Sequence, residues 1–230
     1  MKNKRVLVLN ILGETAFKIS FDNRVAEVFQ SLGITYDTVY LADIADVSEI
    51  ESYTHLLISG SEASVTEEHC WDSSLDSIIR SFIATEKSIL GLCFGHQFLI
   101  RHILGKDHVR KSQTPEVGWT DISISGNPIF SGAPTLKSAV LHFDEICDLD
   151  ERFEIIAKSN RCDIQGFQMK GKHIWGLQFH PDFMYEDIDK FTGIMRDNVT
   201  NFEEIHCQTP VSCTEFAKND EIFKNWIEIS

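Results

Sequence analysis

Short apolar runs alternate with amphipathic stretches through the first hundred residues. Arg5 to Asn10 (Arg-Val-Leu-Val-Leu-Asn) is continuously apolar between its ends, the mark of a strand buried on both faces of a parallel sheet. From Phe21 to Leu32, apolar residues fall at 25, 26, 28, 29 and 32 and the pattern stops at Gly33, which predicts an amphipathic helix with a glycine cap. Ile34 to Leu41 and Thr54 to Ser59 predict two more strands, Glu68 to Thr85 a helix, and Lys87 to Leu92 a further strand. Phe98 to Leu104 is a helix-length apolar segment closed by Gly105. Strands alternating with helices imply βαβ units and an α/β fold built on an open, mostly parallel twisted sheet.

The pattern changes after Leu104. Val117 to Ser125, Leu136 to Phe143, Phe153 to Lys158, Ile164 to Lys170 and Lys172 to Phe179 are strand-like. Turn chemistry separates them at Gly126-Asn127-Pro128 and Ser131-Gly132-Ala133-Pro134, and Met169-Lys170-Gly171-Lys172 reads as a hairpin connection. These segments predict an antiparallel run of strands inserted into the α/β chain. From Tyr185 the pattern is helical again, with one helix expected over Glu186 to about Cys207 and a second from Ser212 or Cys213 to about Ile227. Residues 1–184 are expected to form the main domain, and 185–230 a helical extension packed on it and covering an edge or face of the sheet.

Composition narrows the function. The 230 residues carry 35 acidic and 21 basic side chains, a net charge of −14, which argues against a nucleic-acid or anionic-membrane surface. None of the six cysteines (Cys70, Cys93, Cys147, Cys162, Cys207, Cys213) is paired as Cys-x-x-Cys, so a zinc ribbon or dithiol redox site is not expected. Lys2, Lys4 and Arg5 precede only a short apolar run without a small-residue cleavage pattern. A cytoplasmic protein with reduced thiols is the resulting expectation.

The candidate chemistry centres on Gly91-Leu-Cys-Phe-Gly-His-Gln97. Cys93 falls at a sharp turn between a buried strand and a buried helix, flanked by Gly91 and Gly95, the arrangement of a nucleophile elbow. A thiol at the positive end of a helix is favoured in its reactive thiolate form. The competing reading is that Cys93 is a small buried hydrophobe. A nucleophilic thiol needs a base, a group to orient that base, and donors for an oxyanion. Among nine histidines, His55 and His102 read as strand and helix fillers, and His69, His108, His173 and His206 have no distinctive setting. His96 begins a helix that points away from the thiol. His142, in Leu-His-Phe-Asp-Glu, is a second-rank candidate at a strand end. His180 ends the run Ile174 to Phe179, and Pro181 stops the ladder after it. Ligands of open α/β sheets bind at the carboxyl ends of strands, where both Cys93 and His180 fall. Asp182 is placed to take the second ring nitrogen's proton and fix the tautomer, or is a solvated loop acid. Oxyanion donors are expected from the Phe94 N–H and from the turn at Ser59-Gly60-Ser61.

Gly-x-Cys-x-Gly-x-Gln at 91–97, followed far downstream by Gly-Leu-Gln-Phe-His-Pro at 176–181, resembles the class I (triad) glutamine amidotransferases. Cys-Phe-Gly-His-Gln, Ser-Gly-Ser and His-Phe-Asp-Glu are similar to the glutaminase portion of GMP synthetase and to its stand-alone relatives, the γ-glutamyl peptidases. The resemblance implies a flavodoxin-like fold and no cofactor or metal. It implies that Cys93 attacks the γ-carboxamide of glutamine to give a γ-glutamyl thioester and ammonia. His180 would move the protons, Phe94 with Gly60 and Ser61 would hold the oxyanion, and Gln97 would position the glutamyl part, with His142 a further candidate for substrate binding. Two positions depart from the family pattern. Asp182 stands where glutamate is usual, so its hydrogen bond to His180 is expected to be longer or re-aimed. Ser61 stands where the second glycine of a Gly-Gly-Pro is usual. Three readings follow: a glutaminase passing ammonia to a synthetase or other acceptor subunit, a free-standing γ-glutamyl hydrolase, and a catalytically silent binding or regulatory homologue.

Overall fold

Alternate residues of the buried strands feed two separate cores in the computed structural model, which describes residues 4–47 and 49–229 (Asp46 by its backbone only). The outer limits of the two predicted segments, at residues 1–3 and 230, and Lys2 with them, lie outside the described residues. In β1 (Arg5–Asn10), Val6 and Val8 face one core while Leu7 and Leu9 face the other. A period of two with apolar residues at every position is what a sheet covered on both faces requires.

The first core is covered by α1 (Thr15–Ser31), which buries Phe17, Phe21, Val25, Val28 and Phe29. The chain then forms the edge strand β2 (Thr35–Tyr40) and β3 (His55–Ile58). The second core is covered by α2 (Asp72–Ala84). Next come β4 (Ser88–Leu92) and α3 (Phe94–Leu104), joined at Cys93. The strands β5 (Val109–Ile124), β6 (Thr135–Ile146), β7 (Phe153–Lys158), β8 (Gly166–Met169) and β9 (Ile174–Leu177) follow in succession. The remainder forms α4 (Tyr185–Asn198), α5 (Phe202–Ile205), β10 (His206–Gln208), α6 (Cys213–Phe216) and α7 (Asp220–Ile229).

Among the described residues the result is a ten-stranded mixed sheet in the order β10-β5-β7-β8-β9-β4-β3-β1-β2, with β6 paired to β5. β2-β1-β3-β4-β9 run parallel. β5 to β9 pair antiparallel with one another, as the turn-separated strands predict. The hairpin between β8 and β9 closes where expected, with Lys172 N–H donating to Met169 O and Gly171 at φ 70°.

Two expectations are corrected. The helix expected to reach Cys207 stops at Asn198. Val199 and Thr200 are β-branched, Asn201 adopts φ 63°, and asparagine tolerates that left-handed region where most residues do not. Cys207 then lies in β10, paired parallel with β5 opposite Gly118. The strand expected from Val117 begins at Val109, and a register shift between Lys111 and Glu116 accommodates its polar first half. In the C-terminal segment α7 buries Ile222, Phe223, Trp226 and Ile227 in the first core, beside α1. Among the described residues no helix is long and apolar enough to cross a membrane.

Candidate active site

Cys93 occupies the one-residue turn between β4 and α3, at φ 48° and ψ −103°. A side chain in this region stores about 1–3 kcal/mol of strain, and such strain gathers at functional sites. Its neighbours explain how so tight a turn is built. A Cβ on Gly91 would lie 2.5 Å from the Gly95 carbonyl oxygen, and one on Gly95 would lie 2.7 Å from the Ile58 carbonyl oxygen of β3. Only glycine permits these approaches. The Gly95 N–H donates to Ser59 O and the Gln97 N–H to Cys93 O, which ties the helix start to the end of β3.

β4 and β9 are adjacent and in register, Leu92 opposite Leu177, and the Cys93 N–H donates to Leu177 O at 2.8 Å. Three residues beyond β9, the His180 N–H donates to Ala139 O of β6, also at 2.8 Å. Thiol and imidazole therefore emerge from neighbouring strands at the same end of the sheet. Gly60, at the end of β3, completes the group: a Cβ there would lie 3.1 Å from His180 Cε1, 3.4 Å from Cys93 Cβ and 3.9 Å from Cys93 Sγ. Cys93 and His180 line one small cavity with Leu12, Ser61, Glu62 and Phe183.

Asp182 Oδ1 lies 3.0 Å from His180 Nδ1, and both side chains are buried. The shorter aspartate thus still reaches the ring. The ring of Phe183 stacks on that of His180, centroids 4.4 Å apart. Burial by itself disfavours the imidazolium. The Asp182 carboxylate and the Cys93 sulfur outweigh it and push the His180 pKa up to about 10. With Nδ1 held by Asp182, Nε2 is the nitrogen left to serve the thiol.

The other candidates are placed as follows. Phe94 opens α3, so its N–H has no intrahelical acceptor. The Ser61 hydroxyl donates to Ile11 O and accepts from the Ala63 N–H. Gln97 is buried, and its Nε2 donates to Asp144 O and Gln178 Oε1 at 2.7 and 2.8 Å, leaving Oε1 as its acceptor. A cavity of about 250 Å³ extends from Cys93 past Gln97, Leu141 and Asp144 to Lys111. His142 lines it too, but both ring nitrogens face acceptors inside the protein: Nε2 lies 3.1 Å from Glu116 Oε2 and Nδ1 3.1 Å from Asp144 O. His55 packs edge-on against Trp226, and burial draws its pKa down to about 4. His96 is fully buried beside Phe167, and burial draws its pKa down to about 3. Neither sits at the thiol.

Glu116, His142 and Cys162 bring three buried donor atoms within 4.8 Å of one another. The Glu116 oxygens already take hydrogen bonds from Ser159 Oγ and Gln165 Nε2 besides the His142 contact. The three residues thus belong to a buried hydrogen-bonded network that also includes Ser159 and Gln165. Neither Glu116 nor Arg24, a buried arginine of α1 whose Nε donates to Pro181 O at 3.2 Å, stands out among the motifs of the sequence. Arg24 had a visible signal all the same, since it shares a helix face with Phe21, Val25 and Val28, and a cation on an apolar face needs a buried partner.

Similarity to known proteins identifies the family. The family model for "Glutamine amidotransferase class-I" matches residues 16–193. A glutamine-hydrolyzing GMP synthase subunit from Thermoplasma acidophilum is 33% identical over 162 residues, covering 70% of this chain and 78% of the relative. Gamma-glutamyl peptidase 2 of Arabidopsis thaliana is 28% identical over 189 residues, covering 74% and 75%. A crystal structure of a putative GMP synthase subunit from Thermoplasma acidophilum superposes with a TM-score of 0.72 at 26% identity, covering 100% of this chain and 94% of that one.

Proposed function

Because this chain belongs to the class I glutamine amidotransferase family, we propose that it hydrolyses the γ-carboxamide of glutamine on Cys93 and passes the ammonia to an acceptor on a separate partner. The observation that carries this reading is the convergence of Cys93 and His180 on one cavity at the carboxyl ends of β4 and β9, with Gly60 after β3 close against both side chains. Cys93 Sγ as thiolate attacks the amide carbon, and the negative charge moves to the carbonyl oxygen. The Phe94 N–H and the Gly60–Ser61 backbone, beside the thiol along the chain and across the sheet, would receive it. His180 Nε2–H gives its proton to the amide nitrogen, the C–N bond breaks and ammonia leaves a γ-glutamyl thioester. The same nitrogen, now unprotonated, takes a proton from water. The hydroxide adds to the thioester, and glutamate and the thiolate are released. Asp182 holds the ring through Nδ1 and stabilises the imidazolium.

The GMP synthase relative supports a synthetase-type partner. The relative named a γ-glutamyl peptidase supports a second reading, cleavage of γ-glutamyl peptides with water as the acceptor. The cavity reaches from the thiol to Lys111, whose ammonium is paired with Asp144 at 3.1 Å, and so leaves room for a leaving group larger than ammonia. The two are separated by assaying the purified chain on glutamine and on γ-glutamyl dipeptides. Fast dipeptide cleavage without a partner supports the peptidase. Slow glutaminase that a synthetase subunit accelerates supports the amidotransferase. Silence on both substrates, with and without a partner, would end both readings.

The role of Asp182 has its own test. Asp182→Asn removes the carboxylate that raises the His180 pKa, so that value falls. The imidazolium is then lost at lower pH, and the alkaline limb of the kcat/KM profile is expected to move down. A drop in kcat of about 10²-fold is expected alongside. An alkaline limb that stays in place would show that Asp182 does not set the charge of the ring.

A further inference from the structure

The turn His180-Pro181-Asp182 is held from outside the sheet by a buried cation. Arg24 of α1 donates from Nε to Pro181 O at 3.2 Å. Its NH2 group bonds to Asp220, the first residue of α7, and its guanidinium lies over the Phe216 ring of α6, 5.4 Å from the centroid. One turn earlier on the same helix, Ser20 Oγ accepts from the Met184 N–H, and Phe17 packs edge-on to Phe191 and beside Phe183. Proline ends the ladder and leaves a carbonyl between the two acid–base side chains that no strand partner satisfies. Asp220 and Phe216 lie beyond the 16–193 span of the family match, so this part of the support comes from the C-terminal helices.

We propose that Arg24 is a positioning residue through which the C-terminal helices, by way of Asp220, hold the His180–Asp182 turn in register with Cys93. This rests on the reading of Cys93 and His180 as the reacting pair. Arg24 is a connector with two ends: Nε fixes the carbonyl between His180 and Asp182, and the far side of the fork is held by Asp220. Its planar fork serves both ends at once, which a lysine's single ammonium does not reproduce. A further charged group beside it is Glu27, one turn along its own helix, at 3.7 Å. The groups that bear on the His180 charge are Asp182 and Cys93. If the Pro181 carbonyl is released, Asp182 and His180 move relative to each other and to the thiol. A displacement of about 1 Å at such a site lowers turnover by up to about 10²-fold.

The test measures alkylation of Cys93 by iodoacetamide across pH, read at the Cys93 peptide by mass spectrometry, beside kcat, KM and thermal melting. The proteins are wild type, Arg24→Gln, Arg24→Lys, Asp220→Asn and the Arg24→Gln/Asp220→Asn double variant, all full length. Alkylation reports the thiolate–imidazolium pair whether or not the right substrate has been found. A wild-type profile like that of a free thiol would sink the functional reading itself. If wild type shows the pair, Arg24→Gln is expected to bring its alkaline transition to lower pH and to lower kcat about tenfold with KM unchanged. Asp220→Asn is expected to move both in the same direction, Arg24→Lys to fall between wild type and Arg24→Gln, and the double variant to match Arg24→Gln, because both changes cut one connection. A lower melting temperature with an unchanged profile and kcat would overturn the proposal and leave Arg24 a fold-stabilising residue. A change in Arg24→Gln with none in Asp220→Asn would overturn the part assigned to the C-terminal helices. If Arg24→Gln fails to fold, the half-exposed Asp220 still decides the matter through its own variant.

Discussion

Cys93→Ala is expected to lower ammonia release from glutamine by on the order of 10⁴-fold or more, with the fold intact. No other thiol stands in for it: Cys162, the other buried cysteine, belongs to the Glu116 network, and burial pushes its pKa up to about 12. The residual rate then comes from binding and from the oxyanion donors alone. The same position yields a stability result that ordinary propensity would reverse. Glycine in place of alanine usually loses about 0.5–1 kcal/mol through backbone entropy. At φ 48° and ψ −103° the order inverts, and Cys93→Gly is expected to be more stable than Cys93→Ala by about 1 kcal/mol. Urea unfolding of the two inactive variants checks this. Alanine proving the more stable would mean that the turn is not strained, and the elbow argument would lose its physical basis.

The largest effect on stability is expected from Gly95→Ala. The added methyl would sit 2.7 Å from Ile58 O and 2.9 Å from the Ile58 side chain. Ile58 is fully buried at the end of β3, paired with β1 and β4 on either side, so it has nowhere to retreat. Either α3 lifts away from the sheet or β3 shifts, and both break the bond from the Gly95 N–H to Ser59 O at 3.2 Å. A loss of about 3 kcal/mol or more is expected, read as a fall in the urea midpoint with an unchanged slope. Activity should fall further than stability alone explains, because the displaced element carries Cys93 and Phe94. A loss under about 1 kcal/mol would show that the helix has room the geometry denies it.

The strands and helices of the parallel half were legible because each carries its own periodicity. β1, β3 and β4 read as unbroken apolar runs, and α1 has its apolar stripe. The segment after α4 was not legible. β10 is three residues long, too short to show a period of two, and it exists because Gly118 of β5 leaves the Cys207 carbonyl a place to approach. The first half of β5 reads as polar loop, since its strand character comes from pairing with β6 and not from its own side chains.

The same distinction holds at the site. Local sequence marked the elbow by a glycine on each side of Cys93: Gly91 is required within the turn by the nearby Gly95 carbonyl, whereas Gly95 is required by Ile58 of β3, which packing brings against it. It also marked His180 and Asp182, because proline after a buried strand forces the chain to end its ladder there. Tertiary structure alone decided that β9 lies beside β4, which closes a separation of 87 residues into one cavity. It alone turned the His142 ring inward to Glu116 and aimed Arg24 at the Pro181 carbonyl. The reason is physical: strain, capping and periodicity are properties of neighbours along the chain, whereas the partner of a buried charge is chosen by whichever element the packing brings against it.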